Sequence, residues 1–238
     1  MQKIPLAFAT LLCASSALAQ PSTVAAEGDA ESSSSSSTTR TVALWTHGIT
    51  GAASLVGGAV YGIRGLKDSD VSKYQDECKS GVPGACERFE ATERERRVDQ
   101  SIGASMFLYS VTSLSGLALL GSTDPTRIDA SQQVASSVFY GTSAALSLVT
   151  AGLFMHTLKL RSDFGDATDA CFEGNCSEAQ ALETDIGGSL VWPLSLCAVS
   201  YAVSTTATVW LEWAARNHVS LAPTLDPKYA GATLTGSF

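Results

Sequence analysis

The chain has 238 residues, of which 16% are charged and 45% hydrophobic, with six Cys, twenty Gly and a formal charge of −8. So few charges are unusual for a water-soluble domain, and a positive mean hydropathy excludes a mainly disordered chain. The acidic balance argues against nucleic acid as a partner, since a phosphate backbone is held by a basic face.

The first 19 residues read as a signal peptide: Lys3 gives a basic start, an apolar run extends to Leu18, and Ala17-Leu18-Ala19 has the small-x-small form of a cleavage site. Cleavage is expected after Ala19. Cys13 sits inside the apolar run without the small residue that normally precedes a lipidated Cys, so lipidation is the lesser alternative. Residues 20–41, with Pro21, Gly28 and the run Ser32 to Ser37, offer nothing large to bury and are expected to form a flexible, disordered linker.

Four stretches then lack Asp, Glu, Lys and Arg altogether: 41–63, 100–123, 131–158 and 186–211. A helix needs roughly 20 residues to cross a hydrocarbon core of about 30 Å, and each stretch is long enough. Trp45, Tyr61, Trp210 and Trp213 fall near the expected helix ends, where amphipathic rings favour the headgroup level. The segments are rich in Gly, Ala, Ser and Thr. In the first, Ser54, Gly58 and Gly62 recur every four residues, a face on which a neighbouring helix backbone can approach closely. Pro193 is expected to kink the fourth segment.

An internal repeat organises these helices. Gly58, Leu66 and Lys67 have counterparts at Gly152, Leu160 and Arg161, and Ile102-Gly103-Ala104-Ser105-Met106 matches Ile186-Gly187-Gly188-Ser189-Leu190. Between these anchors each copy carries two cysteines, Cys78 and Cys86 or Cys171 and Cys176. The expected fold class is therefore an all-α membrane protein, its four hydrophobic helices arranged as two tandem helix–cysteine loop–helix hairpins, 42–130 and 131–217. In the first loop, Glu90 with Arg94 and Glu93 with Arg97 have the i,i+4 spacing of a charged helix starting near Glu87. Ser177 and Gln180 have capping-box spacing, so the fourth helix should begin before its apolar part.

With an export signal, the four loop cysteines are expected to form one disulfide within each loop. A zinc site lacks the tight C-x2-C spacing, and a redox pair lacks C-x-x-C. Cys197 reads as a small core residue. Topology sets up a conflict. After signal cleavage, four inner-membrane spans would put both cysteine loops inside, and the ten basic residues from Arg64 to Arg97 and at Lys159 and Arg161 agree with that side, against four at Arg40, Arg127, Arg216 and Lys228. A reducing cytoplasm would, however, leave the cysteines unpaired.

The tail, 218–238, alternates and turns near Asp226-Pro227, which reads as a short C-terminal β-hairpin. A closing strand of a multi-chain barrel is the lesser alternative, because open strand edges are not tolerated in lipid. The two-cysteine hairpin unit, followed by Val219-x-Leu221-x-Pro223 and Gly231-x-x-Leu234-x-Gly236-x-Phe238, resembles the C-terminal helical-hairpin region of uncharacterised myxobacterial-type cell-envelope proteins. That resemblance implies a bacterial envelope location and no particular chemistry.

Catalysis has little support in the sequence. His47, His156 and His218 have no Ser, Cys or carboxylate placed by sequence to form a triad or metal cluster, and a haem held by His47 and His156 fails on depth. No P-loop or dinucleotide fingerprint is present. The expectation is a non-catalytic structural or assembly protein of the cell envelope, without cofactor or metal. Its partners would be the lipid bilayer and either further copies of itself or another envelope protein. A small transporter or oligomeric channel is the alternative.

Overall fold

The computed structural model describes residues 29–66, 69–123, 130–172, 175–217, 220–226 and 229–235. Four long helices, α1 (Asp29–Gly65), α3 (Ala85–Ser122), α4 (Ala130–Cys171) and α5 (Ser177–Asn217), are joined by a short α2 (Ser69–Lys79) in the first cysteine loop. Two strands follow, β1 (Ser220–Asp226) and β2 (Tyr229–Thr235), paired antiparallel with Ser220 opposite Thr235 and Asp226 opposite Tyr229. The signal-peptide segment, 1–19, lies outside the described residues.

The expected fold class needs correction. The architecture is an all-α bundle of four long helices, and three of them, α3, α4 and α5, are long and apolar enough to cross a membrane. The first, α1, falls short because Thr46, His47, Thr50 and several glycines dilute its apolar stretch. Nor does the C-terminal hairpin enter the fold class, since an isolated two-stranded ribbon forms no layer and is marginal on its own. The linker also differs from expectation. Residues 29–41 belong to α1, because extending a helix that the following segment has nucleated costs far less than starting one, even through serines.

Two compact units divide the chain, and neither is a hairpin. One takes the described residues up to Gly48, Leu114–Ser147 and those from Val199 onward; the other takes Ile49–Ser113 and Leu148–Ala198. Each long helix therefore contributes a segment to both. The core of the first unit gathers Ala43, Leu120, Tyr140, Ala144, Ala207 and Leu211. That of the second is built around Ile102, Tyr109, Phe154, Phe164, Ile186 and Leu190, with the Tyr109 and Phe154 rings stacked at 5.4 Å.

In both units small polar side chains share the interior with the apolar core, and the exterior carries large apolar groups. Buried in the first are His47, Ser136, Ser143, Ser147 and Ser204; buried in the second are Ser54, Ser110, Ser113, Thr150 and Thr157. Large apolar groups face outward, among them Trp45 at 67% exposure, Val56 at 65%, Met155 at 67% and Trp192 at 55%. Water would penalise such a surface heavily, whereas lipid accepts it and favours small polar groups between helices. The exterior matches a membrane location.

Candidate functional site

The chemistry-bearing residues collect in three places. In the first unit, the His47 imidazole on α1 is 2% exposed and hydrogen-bonded through Nε2 to Ser143 Oγ on α4 at 2.7 Å. Ser143 Oγ in turn meets Ser204 Oγ on α5 at 2.8 Å, and Ser204 donates to the Ser200 carbonyl at 3.0 Å. Either serine hydroxyl can donate to the other, and the His47 tautomer decides whether Nε2 donates to Ser143 or accepts from it. Gly116 on α3 makes room for the cluster, since a Cβ there would lie 3.4 Å from both His47 Cε1 and Ser204 Oγ.

In the second unit, charged groups bind the helix ends together. Arg161 on α4 reaches Asp99 on α3 through Nε at 2.5 Å and Nη2 at 3.2 Å, and Glu95 through Nη2 at 2.5 Å. Burial pulls the Arg161 pKa down, but its hydrogen bonds and the adjacent Asp99 and Glu95 charges outweigh that and hold it above the ordinary arginine value. Arg94 bridges Glu90 on its own helix at 2.6 Å and Glu183 on α5 at 2.5 Å, a pairing with Glu90 first and Glu183 second that raises its pKa. The expected Glu90–Arg94 pair is thus formed. Glu93 places its two hydrogen bonds on Arg96, at 2.8 and 2.9 Å, while Arg97 lies 3.4 Å from Glu183. The Arg96 hydrogen bond holds the Glu93 carboxyl below the usual range.

Third come the cysteines. Both expected disulfides are formed, Cys78–Cys86 tying α2 to α3 and Cys171–Cys176 closing the turn between α4 and α5. Cys197 is a buried free thiol, and its sulfur lies 2.6 Å from Thr112 Oγ1.

The small-residue face of α1 meets α3 closely at Gly58, while a Cβ on Gly62 itself would point into open space. A Cβ on Gly58 would stand 3.0 Å from the Phe107 amide nitrogen and 3.2 Å from the Gly103 carbonyl oxygen of α3. Gly62 serves from the other side, because a Cβ on Gly103 would lie 2.7 Å from its nitrogen. Ser54 is buried on the same helix. At one end of this seam Gln100 donates to the Gly65 carbonyl at 2.8 Å, capping α1. In the first unit Arg40 does the same for α3, donating to the Gly121 and Thr123 carbonyls at 3.1 and 3.0 Å.

The repeat holds only in part. Ile102 and Ile186 are both buried, but Gly103 meets a helix backbone whereas nothing lies within 4 Å of a Cβ on Gly187 or Gly152. Ser177 opens α5, yet its hydroxyl donates to the Asn175 side chain at 2.9 Å instead of capping the helix. His156 is exposed, and His218 lies outside the described residues. Among the described residues no three of His, Cys, Asp and Glu are placed to hold a metal ion. A shallow surface groove on α5, lined by Thr205, Thr206, Val209, Trp210 and Trp213, holds no charged group.

Sequence spacing could not reveal the partners of His47 or Arg161, which lie 96 and 62 residues away. The only available signal was residue type: a histidine and an arginine placed in or beside long apolar helices need partners. No protein-family model matches the chain, and neither a curated protein nor a solved structure does.

Proposed function

We propose that this is an exported, non-catalytic structural or assembly protein of a bacterial cell-envelope membrane, with its cysteine loops facing an oxidising compartment. One observation carries the proposal: the groups with chemical potential are spent on one another across helices. His47 joins Ser143 and Ser204, Arg161 joins Asp99 and Glu95, Arg94 joins Glu183, and four cysteines close two disulfides. The disulfides support an oxidising compartment, and that side gives up either cleavage after Ala19 or a simple four-span crossing of the inner membrane. The resemblance to myxobacterial-type envelope proteins belongs with this proposal and adds a location only.

A transporter or oligomeric channel is the second reading, favoured by the hydroxyl-rich interior. Ion and proton flux into vesicles reconstituted with the purified chain separates the two. Flux no faster than that of empty vesicles is expected, and saturable or voltage-dependent flux would overturn the structural role. The side is tested by labelling intact cells with an impermeant thiol reagent before and after reduction. Labelling only after reduction is expected; labelling that needs lysis but no reductant would refute an oxidising location.

A further inference from the structure

We propose that the two disulfides have different duties: Cys78–Cys86 is a reducible latch that holds α2 against α3, and Cys171–Cys176 is a permanent clasp. Their surroundings differ. Cys86 is exposed and Cys78 half-buried, whereas in the second pair Cys176 is half-buried and Cys171 completely buried. Every side chain described from Asp70 to Lys79 is exposed or half-buried, so α2 has no anchor in the core. Its inward positions, Val71, Tyr74 and Cys78, are only half-buried. Besides the disulfide, a contact holding it is the Arg88 guanidinium over the Tyr74 ring at 5.6 Å.

The connection after α2 suits a hinge. Gly81 and Gly84 have φ of 75° and 72°, and α2 ends in a Schellman motif, Val82 N–H to the Glu77 carbonyl and Gly81 N–H to that of Cys78. This motif stops the helix on its own, so α2 keeps its end when the latch opens. Cys86 is the second residue of α3, where unpaired amide groups favour a thiolate and make it the better leaving group. The reductant is a dithiol, either small or carried on a protein. Its thiolate bonds to Cys78 Sγ, and the Cys78–Cys86 bond breaks with its electron pair on Cys86. The second thiol of the reductant then displaces Cys78, leaving two reduced cysteines and an oxidised reductant. Attack on Cys171 is hindered by its burial, and attack on the half-buried Cys176 would leave the thiolate on Cys171, whose buried surroundings disfavour it.

The test uses the full chain in mild detergent with graded dithiothreitol, alkylation and peptide mass spectrometry, followed by hydrogen exchange on the partly reduced protein. Cys78 and Cys86 should become alkylated at least about tenfold faster than Cys171 and Cys176. Amides of residues 69–79 should then exchange faster, with those of 95–110 unchanged. Equal reduction rates, or prior reduction of Cys171–Cys176, would overturn the proposal, as would unchanged exchange in α2. The double variant Cys78→Ser/Cys86→Ser should reproduce the exchange pattern of the partly reduced protein; should it fail to accumulate, the wild-type measurement still decides.

Discussion

Gly103→Ala should separate α1 from α3, although it adds one methyl group. Its Cβ would lie 2.7 Å from the Gly62 nitrogen, 3.1 Å from the Gly62 Cα and 3.2 Å from the Tyr61 carbonyl carbon, all backbone atoms that cannot rotate away. Ordinary contact begins at 3.4 Å, so the helices must part by about 0.7 Å. A gap of that size forfeits roughly a quarter to a half of each dispersion contact along the seam. With about 20 atom pairs of about 0.15 kcal/mol each, and the local strain added, the cost is about 2 to 3 kcal/mol. The better helix propensity of Ala offsets roughly 0.5 to 1 kcal/mol of it. A net loss of about 2 kcal/mol, near thirtyfold in the folding equilibrium, is expected from reversible unfolding in mixed micelles. Gly62→Ala is the control, because nothing lies within 4 Å of its added methyl, and it should be neutral or slightly stabilising. Equal losses in both variants, or none in Gly103→Ala, would refute this account of the seam.

Arg161→Met leaves Asp99 buried and unpaired, so a loss of about 3 kcal/mol is expected in the same unfolding assay, and adding Asp99→Asn should recover part of it. Ser143→Ala removes the hydrogen-bond partner of His47 Nε2 and should cost about 1 kcal/mol, while the imidazole Nε2 resonance in NMR shifts away from its hydrogen-bonded position. Glu93 has a depressed folded pKa, so its share of stability is fully present above the unfolded carboxyl pKa and is lost as pH falls through the folded one. That share is small, since the pair is partly exposed, and Glu93→Gln should remove this acidic step from the pH–stability curve.

What the sequence made legible was local. Apolar length announced the long helices, i,i+4 spacing found Glu90 with Arg94, and two cysteines in one loop found each disulfide. Ser54, Gly58 and Gly62 announced a packing face, but not which helix would meet it. The misjudgements came where a neighbour decides the outcome. The serine run from Ser32 is helical through continuity with α1, and the hydrophilic loop before Cys78 holds a helix. Gly187 sits where the repeat implies close contact, yet nothing lies within 4 Å of a Cβ there. No periodicity in one strand of sequence reports a hydrogen bond made across 96 residues.

The division of every long helix between two compact units bears on how the chain is made. Neither unit can be completed by the first hairpin alone, because Ser143, Arg161, Glu183 and Ser204 are still to be synthesised when α3 ends. During that interval His47, Asp99 and Arg94 are already in place before Ser143, Arg161 and Glu183, which they meet across helices in the finished protein. The nascent first hairpin is therefore a poor lodger in lipid. Its assembly favours an insertion machinery that retains early helices until later ones arrive, or rapid degradation of any chain that stops short.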